Sequence, residues 1–181
     1  MIPTLIAPPT RLEMMWDRLR PIRQAVGLVS NPLKALYDSL SDEQKAQLNA
    51  LADSTSARRH GDVLEPQACG GSESRNPEWP TKQIEEAVQP SDQQRASLVA
   101  LASTTSHLSA LLQSSCPSVT LVTPTGRLEA VASRLDSMID AVTIERTALN
   151  DFYASLNDDQ KARFGAEIRQ LPRAGDHRAP P

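Results

Sequence analysis

The sequence contains few aromatic residues and cysteines, no long apolar run and no strong excess of one charge. Aromatic residues make up 3% of the 181 positions, so the core must be built from Leu, Ala, Val, Ile and Met. A β-sandwich or barrel would need more aromatic and β-branched residues in alternation. Lys and Arg number 19 against 22 Asp and Glu, and the signs are interspersed. This balance gives no electrostatic basis for nucleic-acid binding, and the scarcity of aromatics removes a base-stacking surface.

No apolar run approaches the roughly 18 residues that a membrane-spanning helix needs. The N-terminal residues have no basic region and only a short apolar stretch, so they do not resemble a secretory signal. Either the protein is cytoplasmic, or the start shown here lies downstream of an export signal. Because the structured pattern begins almost directly after Met1, we expect the second case.

The two cysteines, Cys69 and Cys116, are too few for a disulfide framework and too far apart in sequence for a metal site. They are either two buried free thiols or one disulfide that joins the ends of the middle segment. Cys69 lies in a loop-like Gly-Gly-Ser context and Cys116 precedes Pro117, so both are easy to bridge. We therefore favour the disulfide, which implies an oxidising compartment.

A long segment of the chain occurs twice. Arg11–Leu48 aligns without a gap on Arg127–Phe164, at an offset of 116 positions and with 15 identities. Such a repeat indicates one supersecondary unit used twice. In the first copy, apolar residues recur at alternating spacings of three and four: Leu12, Met15, Leu19, Ile22, Val26, Val29, Leu33, Leu36 and Leu40. This spacing predicts a helical stripe that packs against another helix.

We expect the stripes to form the core. The alternative is that part of a stripe, such as Met14, Met15 and Trp16, stays open for clients or for a dimer partner, because flexible Met side chains suit promiscuous binding. The second copy should form one helix over about Arg127–Ser155. The first copy contains two prolines, so we predict a break near Ser30–Asn31 with Pro32 opening a new helix.

Each copy then turns at a helix-capping sequence. Ser41 or Asn157 is placed to accept a bond from the third helical amide, and Gln44 or Gln160 to reach back to the cap residue. Leu40 and Leu156 precede these caps and should anchor the turn in the core. A third example, at Pro90–Arg95, has Ser91, Asp92 and Gln94 in the corresponding positions. The repetition is explained by capping, with a direct functional role of the glutamines as the alternative.

The sequence therefore predicts an all-α protein of helical hairpins: two equivalent helix–corner–helix units with a middle helical hairpin between them. The expected divisions are an N-terminal segment 1–10, a first unit 11–52, a linker 53–78, the middle hairpin 79–117, a second unit 124–171 and a disordered tail 172–181.

Residues suited to catalysis or metal binding are not grouped in the sequence. The three histidines, His60, His107 and His177, lie far apart and have no neighbours at ligand spacing. The acidic pairs Glu85–Glu86 and Asp158–Asp159 are near helix starts, where the helix dipole favours negative charge. No nucleophile elbow and no phosphate-binding glycine loop occurs. We expect no enzymatic activity, no cofactor and no bound metal.

The three capping sequences resemble the pattern that names the LTXXQ motif family, which contains the periplasmic chaperones Spy and CpxP. The chain also resembles a proteobacterial branch of hypothetical proteins at four segments in order: Trp79–Glu85, Gln89–Arg95, Cys116–Pro117 and Thr123–Glu129. The resemblance covers roughly Cys69–Leu171 directly, and Arg11–Leu51 through the internal repeat.

This resemblance implies an exported, periplasmic, all-helical protein that binds unfolded or damaged envelope proteins without ATP. Unfolded or envelope proteins would be its partners, and a homodimer is compatible with the stripes. The alternative is a structural or regulatory interaction protein of the cell envelope, specific for one partner or serving as a metal-responsive accessory.

Overall fold

The computed structural model describes residues 6–59, 80–115 and 123–170. These residues form six helices and no strand, so the all-α prediction is confirmed. The helices are α1 (Pro8–Ser39), α2 (Asp42–Arg59), α3 (Thr81–Val88), α4 (Asp92–Ser114), α5 (Pro124–Ser155) and α6 (Asp158–Gln170). Cys69 and Cys116, and with them the predicted disulfide, lie outside the described residues, as do the tail 172–181, His60 and His177.

The predicted break in the first copy is wrong. The helix α1 is continuous over 32 residues, the same length as α5, and contains both Pro21 and Pro32. Both prolines are on the exposed side of the helix, so the carbonyls that they leave without a helical donor can bond to water. The opposite side of α1 packs along α5, and this contact stabilises one helix where local preference alone favoured two.

Two further boundaries differ from the prediction. The helix α2 extends to Arg59, seven residues into the segment 53–78 that was predicted to be a linker. The helix α5 begins at Pro124 rather than Arg127, because the hydroxyl of Thr123 caps it by accepting a hydrogen bond of 3.1 Å from the Gly126 amide. Proline at the first helical position loses no intrahelical bond.

The long helices of the two repeat copies, α1 and α5, pack antiparallel to each other. Trp16 of α1 contacts Arg146, with the guanidinium 5.1 Å from the ring centroid. Further along α1, Arg23 forms a bidentate ion pair with Asp136, at 2.7 and 3.0 Å. Residue numbers therefore rise along one helix as they fall along the other.

Equivalent residues of the two copies meet in one cluster between α1 and α5. Leu19 and its counterpart Leu135 are both buried there, together with Val142 and its half-buried counterpart Val26. A contact in which each element offers the same patch is self-complementary, as in a two-fold symmetric dimer. The repeat thus forms, within one chain, the kind of interface that two identical subunits form.

The helix α4 packs antiparallel on another side of α5. The start of α4 approaches the end of α5, where Gln94 donates to the Ser155 carbonyl. In the middle of α4, the Thr105 hydroxyl donates to the Glu145 carboxylate. At the end of α4, Arg134 of α5 donates to the Leu112 carbonyl and to Ser115 Oγ. This guanidinium at the C-terminus of α4 complements the negative end of the helix dipole. The short α3 lies against α6 and the start of α4, so α5 is the central helix of the fold.

Replacing Pro32 by alanine tests the continuity of α1. In a helix interior, the alanine N–H regains a bond to the carbonyl of Leu28, so Pro32→Ala should raise the free energy of unfolding by about 1–3 kcal/mol. Pro124→Ala is the matched control, because Pro124 is at the first position of α5 and its replacement should change stability little. Equal effects of the two substitutions in thermal melts would instead indicate that a helix starts at Pro32.

Replacing Glu145 by glutamine tests the α4–α5 contact. Burial raises the pKa of the Glu145 carboxyl, and the Thr105 hydrogen bond offsets only part of this. The folded protein then holds this proton more tightly than the unfolded chain, so stability is greatest below the ordinary value of 4.5 and falls as pH rises through the raised pKa.

Glu145→Gln should therefore raise the melting temperature at pH 7, with a gain that shrinks as pH falls toward 4. The exposed Glu86→Gln serves as the control. A gain for Glu145→Gln that is the same at every pH would contradict this account.

Candidate functional site

The α1–α2 and α5–α6 connections, here called the first and second corners, have the same local structure. The Leu40 amide donates to the Tyr37 carbonyl at 3.3 Å, as the Leu156 amide does to Tyr153 at the same distance. The hydroxyls of Ser39 and Ser155 each donate at 2.7 Å to the carbonyl three residues earlier. The repeated sequence therefore builds the same turn twice.

Capping boxes are formed at all three motif sequences. The amides of Ser41, Ser91 and Asn157 donate to the side-chain oxygens of Gln44, Gln94 and Gln160 at 2.9, 2.9 and 3.0 Å. In return, the backbone amides of these three glutamines donate to the side-chain oxygens of Ser41, Ser91 and Asn157 at 3.3, 3.4 and 2.8 Å. Each box supplies partners for amides that the first helical turn leaves unpaired. Asp92, exposed in the second box, pairs with Arg95 at 2.7 Å.

Two of the three motif glutamines bond directly to each other. Each side-chain nitrogen of Gln94 and Gln160 donates to the other's oxygen at 3.1 Å. Gln94 also donates to the Ser155 carbonyl at 2.6 Å, and Gln160 approaches the carbonyls of Val88 and Gln89 at 3.4 and 3.5 Å. The side-chain oxygens of Gln94 and Gln160 each accept two hydrogen bonds, and both side-chain nitrogens use their donors. The buried Gln160 therefore has partners for all its polar groups.

The glutamine pair joins four helix ends, namely the starts of α4 and α6 and the ends of α3 and α5. It links the start of α4 to the start of α6 and to the end of α3, whose last carbonyls lack helical partners. Gln89, which ends α3, has a φ of 50°, a left-handed conformation that turns the chain sharply into Pro90 and Ser91. The α3–turn–α4 segment is thereby held over the second corner.

Apolar side chains fill the space between this segment and the second corner. Phe152, Leu156 and Phe164 are almost completely buried among Ile84, Val88, Leu98 and Leu101. The rings of Phe152 and Phe164 meet edge to face, with centroids 5.4 Å apart. This cluster is the main core of the protein.

The first corner has no comparable cover within the described parts of the chain. Leu36, at the position of Phe152, is 54% exposed where the phenylalanine is 0% exposed. Leu40 and Leu48 are half-buried, and Gln44 is exposed, whereas their counterparts are buried. The chain has one α3–α4 segment for two equivalent corners, and this segment covers the second corner.

The 3–4 stripe of α1, which was expected to form core, divides into two rows. Leu12, Leu19, Val26 and Leu33 are buried or half-buried. Met15, Ile22, Val29 and Leu36, the open row, are 47%, 51%, 54% and 54% exposed. At the positions of Ile22, Val29 and Leu36, the helix α5 has Met138, Glu145 and Phe152, which are half-buried or buried.

The three residues singled out as a candidate client surface are separated by the fold. Met14 and Met15 are exposed. Trp16 is half-buried against the α1–α5 cluster, and the guanidinium groups of Arg20 and Arg146 lie 4.4 and 5.1 Å from its ring. Trp16 therefore contributes to the α1–α5 contact, and the open row, which the sequence prediction assigned to the core, continues the exposed surface from Met15 toward the first corner.

No group of three or more potential metal ligands occurs among the described residues. His107, the one histidine that the structure describes, is exposed on α4. Within the same residues, no helix is both long enough and apolar enough to cross a membrane.

Substituting glutamate for the motif glutamines distinguishes the two corners. Glutamate keeps the oxygen that caps the helix but loses the amide donors. Gln160→Glu would bury a charge opposite the Gln94 oxygen and the α3 carbonyls, so it should lower the free energy of unfolding by about 1–3 kcal/mol or more.

Gln44→Glu is the matched control, and at an exposed position it should change stability by less than about 0.5 kcal/mol. Denaturant titrations measure both values. Equal losses would mean that the glutamine pair adds nothing beyond capping.

Comparison with known proteins gives one result. The model of the LTXXQ motif family matches residues 76–167, which comprise α3, α4, α5 and most of α6 and so include both members of the glutamine pair. No curated protein and no solved structure matches the chain. The matched region is about half of the sequence, and the chain therefore belongs to the LTXXQ motif family.

Proposed function

We propose that the protein is a non-enzymatic, ATP-independent binding protein of the periplasm, similar in role to Spy and CpxP. It would hold unfolded or damaged envelope proteins by their exposed apolar segments. Membership of the LTXXQ family supports this role, and the open row of α1 is the observation that carries it.

The open row has the extent that such binding requires. Met15 and Leu36 are separated by about 30 Å along the helix, at 1.5 Å per residue. Arg11 and Arg18, four and three residues from Met15, border the row on the same helix. Contiguous exposed apolar surface of this kind marks interaction sites in folded proteins.

The composition of this surface favours varied clients over a single fixed one. Methionine adapts its shape to different partners, and aliphatic side chains impose no directional bonds. The α1–α5 contact holds the open row in place, because the buried row of the same helix is fixed against Leu135 and Val142. Binding would therefore need no large rearrangement of the protein.

An aggregation assay tests this proposal. The pure protein, at equimolar ratio to a reduced model client, should slow the rise in light scattering without ATP. A double variant, Met15→Asp with Ile22→Asp, should lose most of this effect because both positions would carry charge on the client surface. The control Ile144→Asp changes a residue of similar exposure, 49%, on α5.

Circular dichroism should show that all three proteins remain helical. The proposal fails if the wild-type protein does not slow aggregation, or if the double variant is as active as the control.

A structural or regulatory protein with one defined partner is the second candidate, and the regular geometry of the first corner, which no described segment covers as α3–α4 covers the second, favours it. Under this alternative, pull-down from envelope extracts would recover one protein in stoichiometric amount. Broad recovery of unrelated proteins would favour the holdase.

A further inference from the structure

We propose that the first corner is a docking site for a helix–turn–helix segment of a partner polypeptide, one with the apolar and amide pattern of α3–α4. The inference rests on the proposed binding function and specifies which segments are bound and where. The internal repeat carries the argument, because it places two copies of the same surface in one protein, one covered by α3–α4 and one without an occupant among the described residues.

The first corner already has the conformation of the second. Leu40 and Leu156 have φ and ψ of −77° and 149° and of −82° and 144°. The capping boxes that follow both corners are formed, and the Lys45 and Lys161 amines lie 5.8 and 5.7 Å from the rings of Tyr37 and Tyr153. A preformed surface binds without an ordering cost of its own.

The second corner shows what such a surface accepts. The α3–α4 segment contributes Ile84 and Val88 from α3, Leu98 and Leu101 from α4, and the side-chain amide of Gln94 from the first turn of α4. Aliphatic residues four apart, a short turn with a glutamine cap and then leucines three apart therefore define the complementary pattern.

The first corner has apolar residues and a glutamine at the corresponding positions. Leu36, Leu40 and Leu48 replace Phe152, Leu156 and Phe164, and Gln44 replaces Gln160. The oxygen of Gln44 is used by its capping box, while its side-chain nitrogen has no protein acceptor among the described residues. That nitrogen corresponds to the one with which Gln160 binds Gln94 and α3.

Two differences between the corners determine the preferred occupant. Leucine in place of phenylalanine at both Leu36 and Leu48 leaves more room above the first corner. A bound segment with Phe or Met at the positions of Ile84 and Leu98 should therefore fill it better than α3–α4 itself. The α3–α4 segment of the same chain is held at the second corner, so the occupant that we propose belongs to a second polypeptide.

Fluorescence anisotropy with a labelled synthetic peptide of residues 80–101 provides the test, with the full-length protein as binder. Saturable binding of one peptide per chain is expected, with at least tenfold weaker binding to the Leu36→Asp variant. The Ile144→Asp variant should bind as the wild type does. A second peptide carrying Ile84→Phe should bind more tightly.

Gln44→Glu separates capping from amide recognition. It keeps the capping oxygen, so α2 should remain folded by circular dichroism, but it removes the donor that corresponds to Gln160 Nε2. Peptide binding should weaken several-fold. Unchanged binding to both Leu36→Asp and Gln44→Glu would overturn the proposal, because the peptide would then be exchanging with α3–α4 at the second corner.

The remaining outcomes also decide the question. Absence of peptide binding overturns the docking site even if aggregation is suppressed. Peptide binding that Leu36→Asp abolishes, without suppression of aggregation, supports the docking site and refutes the holdase. A dimer that Leu36→Asp abolishes, together with no peptide binding, overturns the proposal and assigns the first corner to a second copy of the chain.

Discussion

A long helix with two adjacent apolar rows can bury both rows only if it has two neighbours. The helix α5 meets this condition, since α1 covers one side and the α3–α4 segment covers the other. The helix α1 has the same pattern and only one such neighbour among the described helices. The core, the stability of the corners and the exposed surface all follow from this difference. The repeat supplies two equivalent helices but the middle hairpin covers only one.

The glutamine pair holds the α3–α4 segment on the second corner. A capping glutamine normally bonds only to the cap residue of its own helix, as Gln44 does within the described structure. At the second corner, the capping oxygens of Gln94 and Gln160 each accept one additional bond, and the amide groups reach across to another helix. Capping and tertiary contact are therefore coupled, because a side chain held by its own cap is already oriented toward its neighbour. This coupling offers a physical reason for glutamine where glutamate would cap equally well.

Much of the fold could be predicted from the sequence. The 3–4 spacing identified the long helices, and the capping sequences located the starts of α2, α4 and α6 at Asp42, Asp92 and Asp158. The continuity of α1 could not be predicted, because local preference at Pro32 favours a break and only the contact with α5 outweighs it. The length of α2 was likewise underestimated, since the residues after Ala52 carry no apolar pattern.

The open row was less accessible to prediction, because periodicity shows that a stripe is apolar but not how many helices cover it. The sequence does contain a relevant signal: two corners and one middle hairpin. The pairing of Gln94 with Gln160 depends on the turn at Gln89, whose left-handed conformation no local pattern identified. The alternative of an open surface grouped Trp16 with its two methionine neighbours, whereas one step along a helix places a side chain on a different side.

Hydrogen exchange of the free protein tests most directly whether α3–α4 covers only the second corner while the two corners keep the same local structure. If α3–α4 protects only the second corner, amides in residues 160–168 should exchange at least about a hundredfold more slowly than those in residues 44–52. Both segments should nevertheless show helical signals, because both caps are formed. Equal protection of the two segments would contradict the account, since it would show that the first corner is covered as well.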